Sequence, residues 1–349
     1  MNKHGGYRGD KKDVLDFSIN INPLGMPEGL RRRLEAALSE LGKYPEITGE
    51  TARNKIAADI GIAPENVILG NGAIELIYLF ARGVHPERAL IPVPTFNEYR
   101  RALDMNGCDA VSELLLSPED DFELNPERLI RMAEECRPKA VYLCNPTNPT
   151  GRLYSKAFIK ELMDRMDPEI IWFIDESFIE FSGIETCLEY INHSGHRLFL
   201  LRSLTKFFGV PGLRIGYGVG SAELIRAMEA YKEPWTINTL ALEAAMCIYD
   251  DKAYMQKTRD HIQTERQRVF EALSGLPDLS VYPSGADFHL YKVEGRTAQA
   301  LQKELLEQRI NIRTCEDFAG LETQFFRAAI KRREDNDRLI AALNNILRG

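Results

Sequence analysis

The segment LRSLTKFFGVPGLR, running from Leu201 to Arg214, sets Lys206 between an apolar run and the pair Phe207–Phe208. An ammonium pressed against apolar neighbours loses hydration, so its pKa falls and the free amine becomes available. A lysine in that condition is a Schiff-base nucleophile; a lysine that simply closes a strand is the plainer reading. Asp175 ends a second apolar run, IIWFID. A carboxylate buried there needs a cationic partner, and a protonated ring nitrogen would serve; capping of the following turn is the alternative. In NPTNPTG, Asn145 to Gly151, each proline stiffens the backbone and biases the residue before it toward extended geometry. The Asn148 amide is then held rigidly enough to donate to a ring oxygen, unless the stretch is only a turn-rich loop.

Anion chemistry has its own candidates. GNGAIEL, Gly70 to Leu76, leads a strand into a helix through two glycines, and the exposed amides of a helix start bind phosphate well. Ser203, Thr205 and Arg214 add two hydroxyls and a guanidinium to such a site. Phe96, in PVPTFNEY, lies just past a strand end and suits stacking on a flat ring; as a lone aromatic it also fits a core.

These residues need a scaffold that brings them to one edge. From about residue 65 to 221, the apolar runs NVILG, RALIPVP, KAVYLCNP, IIWFIDES, LFLLRSL and RIGYGVG alternate with amphipathic stretches at 74–82, 97–106, 126–136 and 155–166. Apolar strands separated by helices indicate an α/β fold with a mainly parallel sheet covered on both faces. Ligands of such sheets bind beyond the carboxyl ends of the strands, where Asn145, Asn148, Asp175, Ser203, Thr205 and Lys206 all fall. Past KEPWTINT a long charged helix is expected over 240–273, then the short strands LSVYPS, ADFHLYKV, INIRT and QFFRAAI with two more helices. That is an α+β pattern. The expected division is an N-terminal segment, 1–43, packing with the C-terminal part; a large α/β domain, 44–235; and a small α+β domain, 236–349.

Composition narrows the function classes. A formal net charge of -8 argues against a nucleic-acid platform. The six cysteines are scattered without a Cys-x-x-Cys pair, which reads as reduced thiols in a cytoplasmic protein. MNKHGGYRGDKKD lacks a signal-peptide core, and no run approaches a membrane span. His193 and His196, in NHSGH, lack neighbouring acidic or cysteine ligands, so no metal site is expected.

NPTNPTG, FIDES, SLTKFFGVPGLRIGY and FFRAAI, in this order and spacing, resemble the fold-type I pyridoxal phosphate enzymes of the aminotransferase class I/II superfamily. HGG, DFSININPLGMP, LRSLTKFFGVPGLR, PWTINTLA and INIRTCEDFAGL are similar, more narrowly, to the threonine-phosphate decarboxylases of cobalamin biosynthesis. The resemblance runs from His4 to the final helix. It implies that Lys206 attaches pyridoxal 5'-phosphate, Asp175 pairs with the pyridinium nitrogen, Asn148 contacts the ring oxygen and Phe96 stacks on the ring. The Gly72–Ala73–Ile74 amides, Ser203, Thr205 and Arg214 would hold the cofactor phosphate. Tyr44 would reach that phosphate from a neighbouring subunit, which implies a homodimer with shared sites. His4, Gly5, Asn20, Asn148, Arg313 and Arg327 would meet a small phosphorylated amino-acid substrate, with Arg327 matching the superfamily's carboxylate-binding arginine. The implied reaction is decarboxylation of O-phospho-L-threonine to aminopropanol phosphate. A histidinol-phosphate or related aminotransferase shares most of these motifs, and a non-catalytic pyridoxal-phosphate-binding regulator is a remoter relative. One departure from the wider superfamily favours the decarboxylase: Phe178 stands three residues after Asp175, where aminotransferases commonly carry tyrosine.

Overall fold

The computed structural model describes residues 4–191 and 195–348. A two-residue strand, β1 (Leu15–Asp16), precedes seven strands that form one sheet: β2 (Val67–Asn71), β3 (Arg88–Val93), β4 (Ala110–Leu115), β5 (Ala140–Cys144), β6 (Ile171–Asp175), β7 (Arg197–Ser203) and β8 (Ile215–Gly220). Their order is β2-β8-β7-β6-β5-β3-β4, and β8 alone runs against its neighbours β2 and β7. The sheet is therefore mainly parallel, as the alternation of apolar runs and helices requires. Its central strands are buried from end to end: AVYLC in β5 and IWFID in β6 expose nothing. Successive side chains point to opposite faces. Trp172 and Ile174 join one core layer, while Ile171 and Phe173 join the other with Phe80, Tyr99, Tyr142 and Phe199.

Two expectations need correction. Strand β4, not expected from the sequence, closes one edge of the sheet by parallel pairing with β3. AVSELL is only partly buried, so its polar residues hide the apolar signature of the inner strands. The expected helix over 240–273 is two helices, Thr239–Ala245 and Lys252–Ser274, and the Asp251 side chain caps the second by accepting from the Tyr254 amide.

The remaining strands are β9 (Leu279–Val281), β10 (Phe288–Val293), β11 (Ile310–Asn311), β12 (Arg313–Thr314) and β13 (Phe325–Ala329). Strands β12-β13-β10-β9 form an antiparallel sheet. The run INIRT is split: β11 pairs in parallel with β1, while β12 pairs with β13. The start of the chain is thereby tied beside the second sheet. A single apolar cluster runs from Phe17 through Trp172 to Leu343, so both sheets share packing.

Candidate active site

Strand β7 ends at Ser203 and turns at once into the short helix Leu204–Phe207, which carries Lys206. The turn is pinned from the N-terminal segment. Asn22 donates its amide to the Lys206 carbonyl at 3.0 Å and its side chain to the Phe207 carbonyl at 2.7 Å. Lys206 Nζ lies 4.4 Å from the centroid of the Phe178 ring. Burial pushes its pKa below the ordinary lysine value; Asp175, Cys144 and Asp287 oppose that shift and Arg214 adds to it. Burial disfavours the charged ammonium relative to the neutral amine, whose nitrogen carries the lone pair.

Asp175, at the end of β6, is buried and held by two donors. Tyr99 gives its hydroxyl to Oδ2 at 2.6 Å, and the Ser177 amide donates to Oδ1 at 2.8 Å. Burial, with the neighbouring carboxylate second, keeps the Tyr99 hydroxyl far above its usual pKa, so it stays protonated and donating. Tyr99 is absent from the sequence reading. Its signal is the spacing in PTFNEY: three residues after Phe96, a helical turn puts both on one side, and their rings meet edge to face at 5.7 Å.

The strand-to-helix passage at Gly72 is the turn from which an anion cradle is expected. Helix Gly72–Val84 has no side-chain cap at its start, which leaves its first amides for another acceptor. Gly72 has φ of +70°, and a Cβ there would lie 2.2 Å from Arg214 Nη2. Arg214 thus rests directly over the turn, anchored by a 3.1 Å bond from Nη1 to the Pro211 carbonyl. Ser203 and Thr205 share a hydrogen bond of 3.0 Å between their buried hydroxyls.

On the other side of Lys206 the N-terminal segment, the loop after β5 and strand β13 converge. Arg327 Nη1 donates to Asn148 Oδ1 and Nη2 donates to the Ser18 carbonyl at 2.9 Å. Its guanidinium centre lies 5.1 Å from the Phe288 ring centroid, and burial lowers its pKa to about 10. Arg313 stands directly opposite Arg327 in the β12–β13 register. It is buried too, and its Nη2 meets both Asp317 oxygens at 2.8 Å. A cavity of about 670 Å³ is lined by His4, Gly5, Arg8, Ser18, Arg313 and Thr314, among others. His4 Nε2 lies 3.3 Å from Glu98 Oε1 and its ring 6.3 Å from that of Phe96. Asn20 is buried and its Oδ1 has no partner among the described residues. Tyr44 is the residue not brought to this group: it is 87% exposed and leans on Trp235 at 5.7 Å. His193 lies outside the described residues, and His196 Nε2 lies 2.9 Å from Asp164 Oδ1. Asp287 is a second residue the sequence reading lacks; it is fully buried one position before β10, where ADFHL looks like any strand start.

The arrangement brings together a buried lysine, a carboxyl group fixed by two donors, an uncapped helix start beneath Arg214 and two buried guanidiniums. The chain matches the family described as aminotransferase class I and II over residues 12–343. It is 37% identical to threonine-phosphate decarboxylase of Salmonella typhimurium, covering 96% of this chain and 92% of that protein. Among solved structures, histidinol-phosphate aminotransferase from Clostridium acetobutylicum has a TM-score of 0.87 at 32% identity, over 96% of this chain and 99% of that one. L-threonine-O-3-phosphate decarboxylase from Porphyromonas gingivalis has a TM-score of 0.84 at 27% identity, over 95% and 99%.

Proposed function

The chain belongs to the aminotransferase class I and II family, and we propose that it is a pyridoxal-phosphate-dependent decarboxylase that converts O-phospho-L-threonine to aminopropanol phosphate for corrinoid synthesis. The observation that carries the substrate is the pair of guanidiniums at Arg313 and Arg327, buried on directly opposed positions of β12 and β13. Arg313 meets the Asp317 carboxylate and Arg327 bonds neutral oxygens only; two adjacent guanidiniums suit a ligand with two anionic ends, and phosphothreonine has a phosphate and a carboxylate. Histidinol phosphate has the phosphate alone.

The residues present fit the cofactor. The carboxylate of Asp175 suits a protonated ring nitrogen, the uncapped helix start with Arg214, Ser203 and Thr205 suits a phosphate, and Phe96 suits the ring face. When bound, pyridoxal phosphate supplies an electron sink for the charge left at the substrate α-carbon. Lys206 Nζ, kept short of hydration beside Phe178, offers the amine that attaches it and a base close to the α-carbon. Tyr99 and the Ser177 amide hold the Asp175 carboxyl group in place. Arg327 anchors the substrate carboxylate and Arg313 its phosphate, with His4, Gly5 and Asn20 closing the site from the N-terminal segment. How those arginines turn the substrate decides whether the carboxyl group or the α-hydrogen is lost.

Two copies pair with shared sites in this reading. Support comes from Leu38, Leu41, Tyr44, Ile47 and Trp235, which are large, apolar and exposed on the single chain; Tyr44 then enters the other copy's phosphate cradle. The division at 43/44 and 235/236 belongs to the same proposal, as does a cytoplasmic setting, supported by the six free cysteines. No helix among the described residues is long and apolar enough to cross a membrane.

The test is carbon dioxide release from O-phospho-L-threonine with no keto acid present. Release under those conditions supports the reading. Turnover that strictly requires 2-oxoglutarate makes the chain an aminotransferase instead, the second reading, which the structural likeness to the Clostridium acetobutylicum enzyme favours.

A further inference from the structure

Asp287 is fully buried, and neither of its carboxylate oxygens has a hydrogen-bond partner among the described residues. Four cations act on it: Arg327 on β13, Lys206 after β7, Lys331 just past β13, and Arg266 on helix Lys252–Ser274. Arg266 is fixed close by, donating from Nη1 to the Ala286 carbonyl at 3.1 Å, and the Asp287 carbonyl accepts from the Ile330 amide at 2.7 Å. Lys331 is attracted by Asp16 and Asp335 as well as by Asp287. Arg327, for its part, spends its hydrogen bonds on neutral oxygens of Asn148 and Ser18, and its Nε has no partner among the described residues. The charges of Arg327 and Asp287 act on each other, with no hydrogen bond closed to either Asp287 oxygen among the described residues.

We propose that Asp287 is the resident counter-ion of the carboxylate-binding arginine, ionised while the site is empty and protonated from solvent when a substrate carboxylate reaches Arg327. This rests on the reading of Arg327 as the carboxylate anchor. A buried guanidinium is balanced by one anion, and two carboxylates beside it repel each other. The incoming anion touches Arg327; Asp287 cannot leave, so it gives up its charge. Loss of the carboxyl group as carbon dioxide would strand Arg327 without an anion. Asp287 returns its proton at that point and restores the balance before the next substrate. It is a positioning residue, because it acts through Arg327 and not on the reacting atoms. Burial has already raised its pKa to about 6 in the empty site, so near neutral pH a modest further push suffices to protonate it.

The experiment is calorimetric titration of the holoenzyme in buffers of unequal ionisation heat, near pH 7.5. The probes are 3-phosphonooxybutyrate, which has both anionic ends and no amine, and isopropyl phosphate, which lacks the carboxylate. The expected result is extra proton uptake with the first probe only, lost in Asp287→Asn. By linkage, the same variant binds that probe about thirtyfold more tightly near pH 7.5, since a carboxyl of pKa about 6 must gain a proton there and each pKa unit is tenfold in binding. Equal proton counts for the two bound probes would overturn the proposal alone. If isopropyl phosphate binds and 3-phosphonooxybutyrate does not, the assignment of Arg327 fails and the proposal fails with it; if neither binds, both fall with the substrate reading. The wild-type comparison decides the matter even if the variant does not fold.

Discussion

Single residues in this protein are set by what surrounds them more than by their type. Asp175 has the same side chain as Asp287, yet one is held by two donors and the other by none among the described residues. Removing the Tyr99 hydroxyl leaves a buried carboxylate oxygen short of a donor, and a hydrogen bond to a charged group is worth about 1.5–3 kcal/mol. We expect Tyr99→Phe to cut kcat by roughly tenfold to a hundredfold and to loosen cofactor retention on dialysis, with the fold intact by circular dichroism. Asp287 makes the opposite kind of prediction. Its carboxyl titrates near 6 in the folded chain against an ordinary 3.8, so the folded state holds the proton longer than the unfolded one as pH rises. The stability it leaves in place at pH 3 is lost through pH 6 and stays lost above it; the gap corresponds to about 3 kcal/mol. Asp287→Asn should therefore unfold at higher denaturant than wild type at pH 8, and the advantage should shrink toward pH 4. A constant difference across that range would contradict the account.

At the level of elements, the site depends on how a strand hands the chain to a helix. The passage from β2 into helix Gly72–Val84 needs a left-handed residue with no Cβ, because Arg214 occupies the place a methyl group would take. Gly72→Ala strains the backbone and displaces the guanidinium together. The expected outcome is cofactor affinity reduced by about tenfold or more, read from titration of the stripped enzyme with pyridoxal phosphate. The opposing turn at Lys206 is held by Asn22 from a segment far away in sequence, so the N-terminal segment helps to fix the backbone of the proposed site. Two cations of the site also share one aromatic stack. Lys206 lies over Phe178, Phe178 meets Phe288 edge to face at 5.2 Å, and Phe288 lies under Arg327. Phenylalanine at 178 thus serves as an apolar floor that keeps the lysine poorly hydrated.

For the whole molecule, the exposed group around Tyr44 and Trp235 is the feature a single chain leaves unexplained. Trp235 has φ of +58° and donates its amide to the Ile47 carbonyl at 3.1 Å, so the backbone presents these rings outward in a fixed pose. In the proposed dimer they are covered. Trp235→Lys should shift the mass seen by light scattering toward the monomer and lower activity with it, because Tyr44 then reaches no second site. A variant that stays dimeric at full activity would place the contact elsewhere.

The positions of Asp175, Lys206 and Asn148 and the parallel sheet were legible in the sequence, because continuous apolar runs mark the inner strands: Asp175 ends one run, and Asn148 and Lys206 follow shortly after the ends of two others. A strand buried on both faces has no polar residues except at its ends, so its boundary and its chemistry coincide. Strand β4 was not legible, since an edge that is only partly buried carries no such run. Tyr99, Asn22 and Asp287 were not legible either. Their roles come from contacts across 76 and 185 residues for the first two, and for Asp287 from the cations that two sheets and a helix bring around it. Sequence order records what lies along a strand, whereas which charge faces which is decided only when the strands are packed.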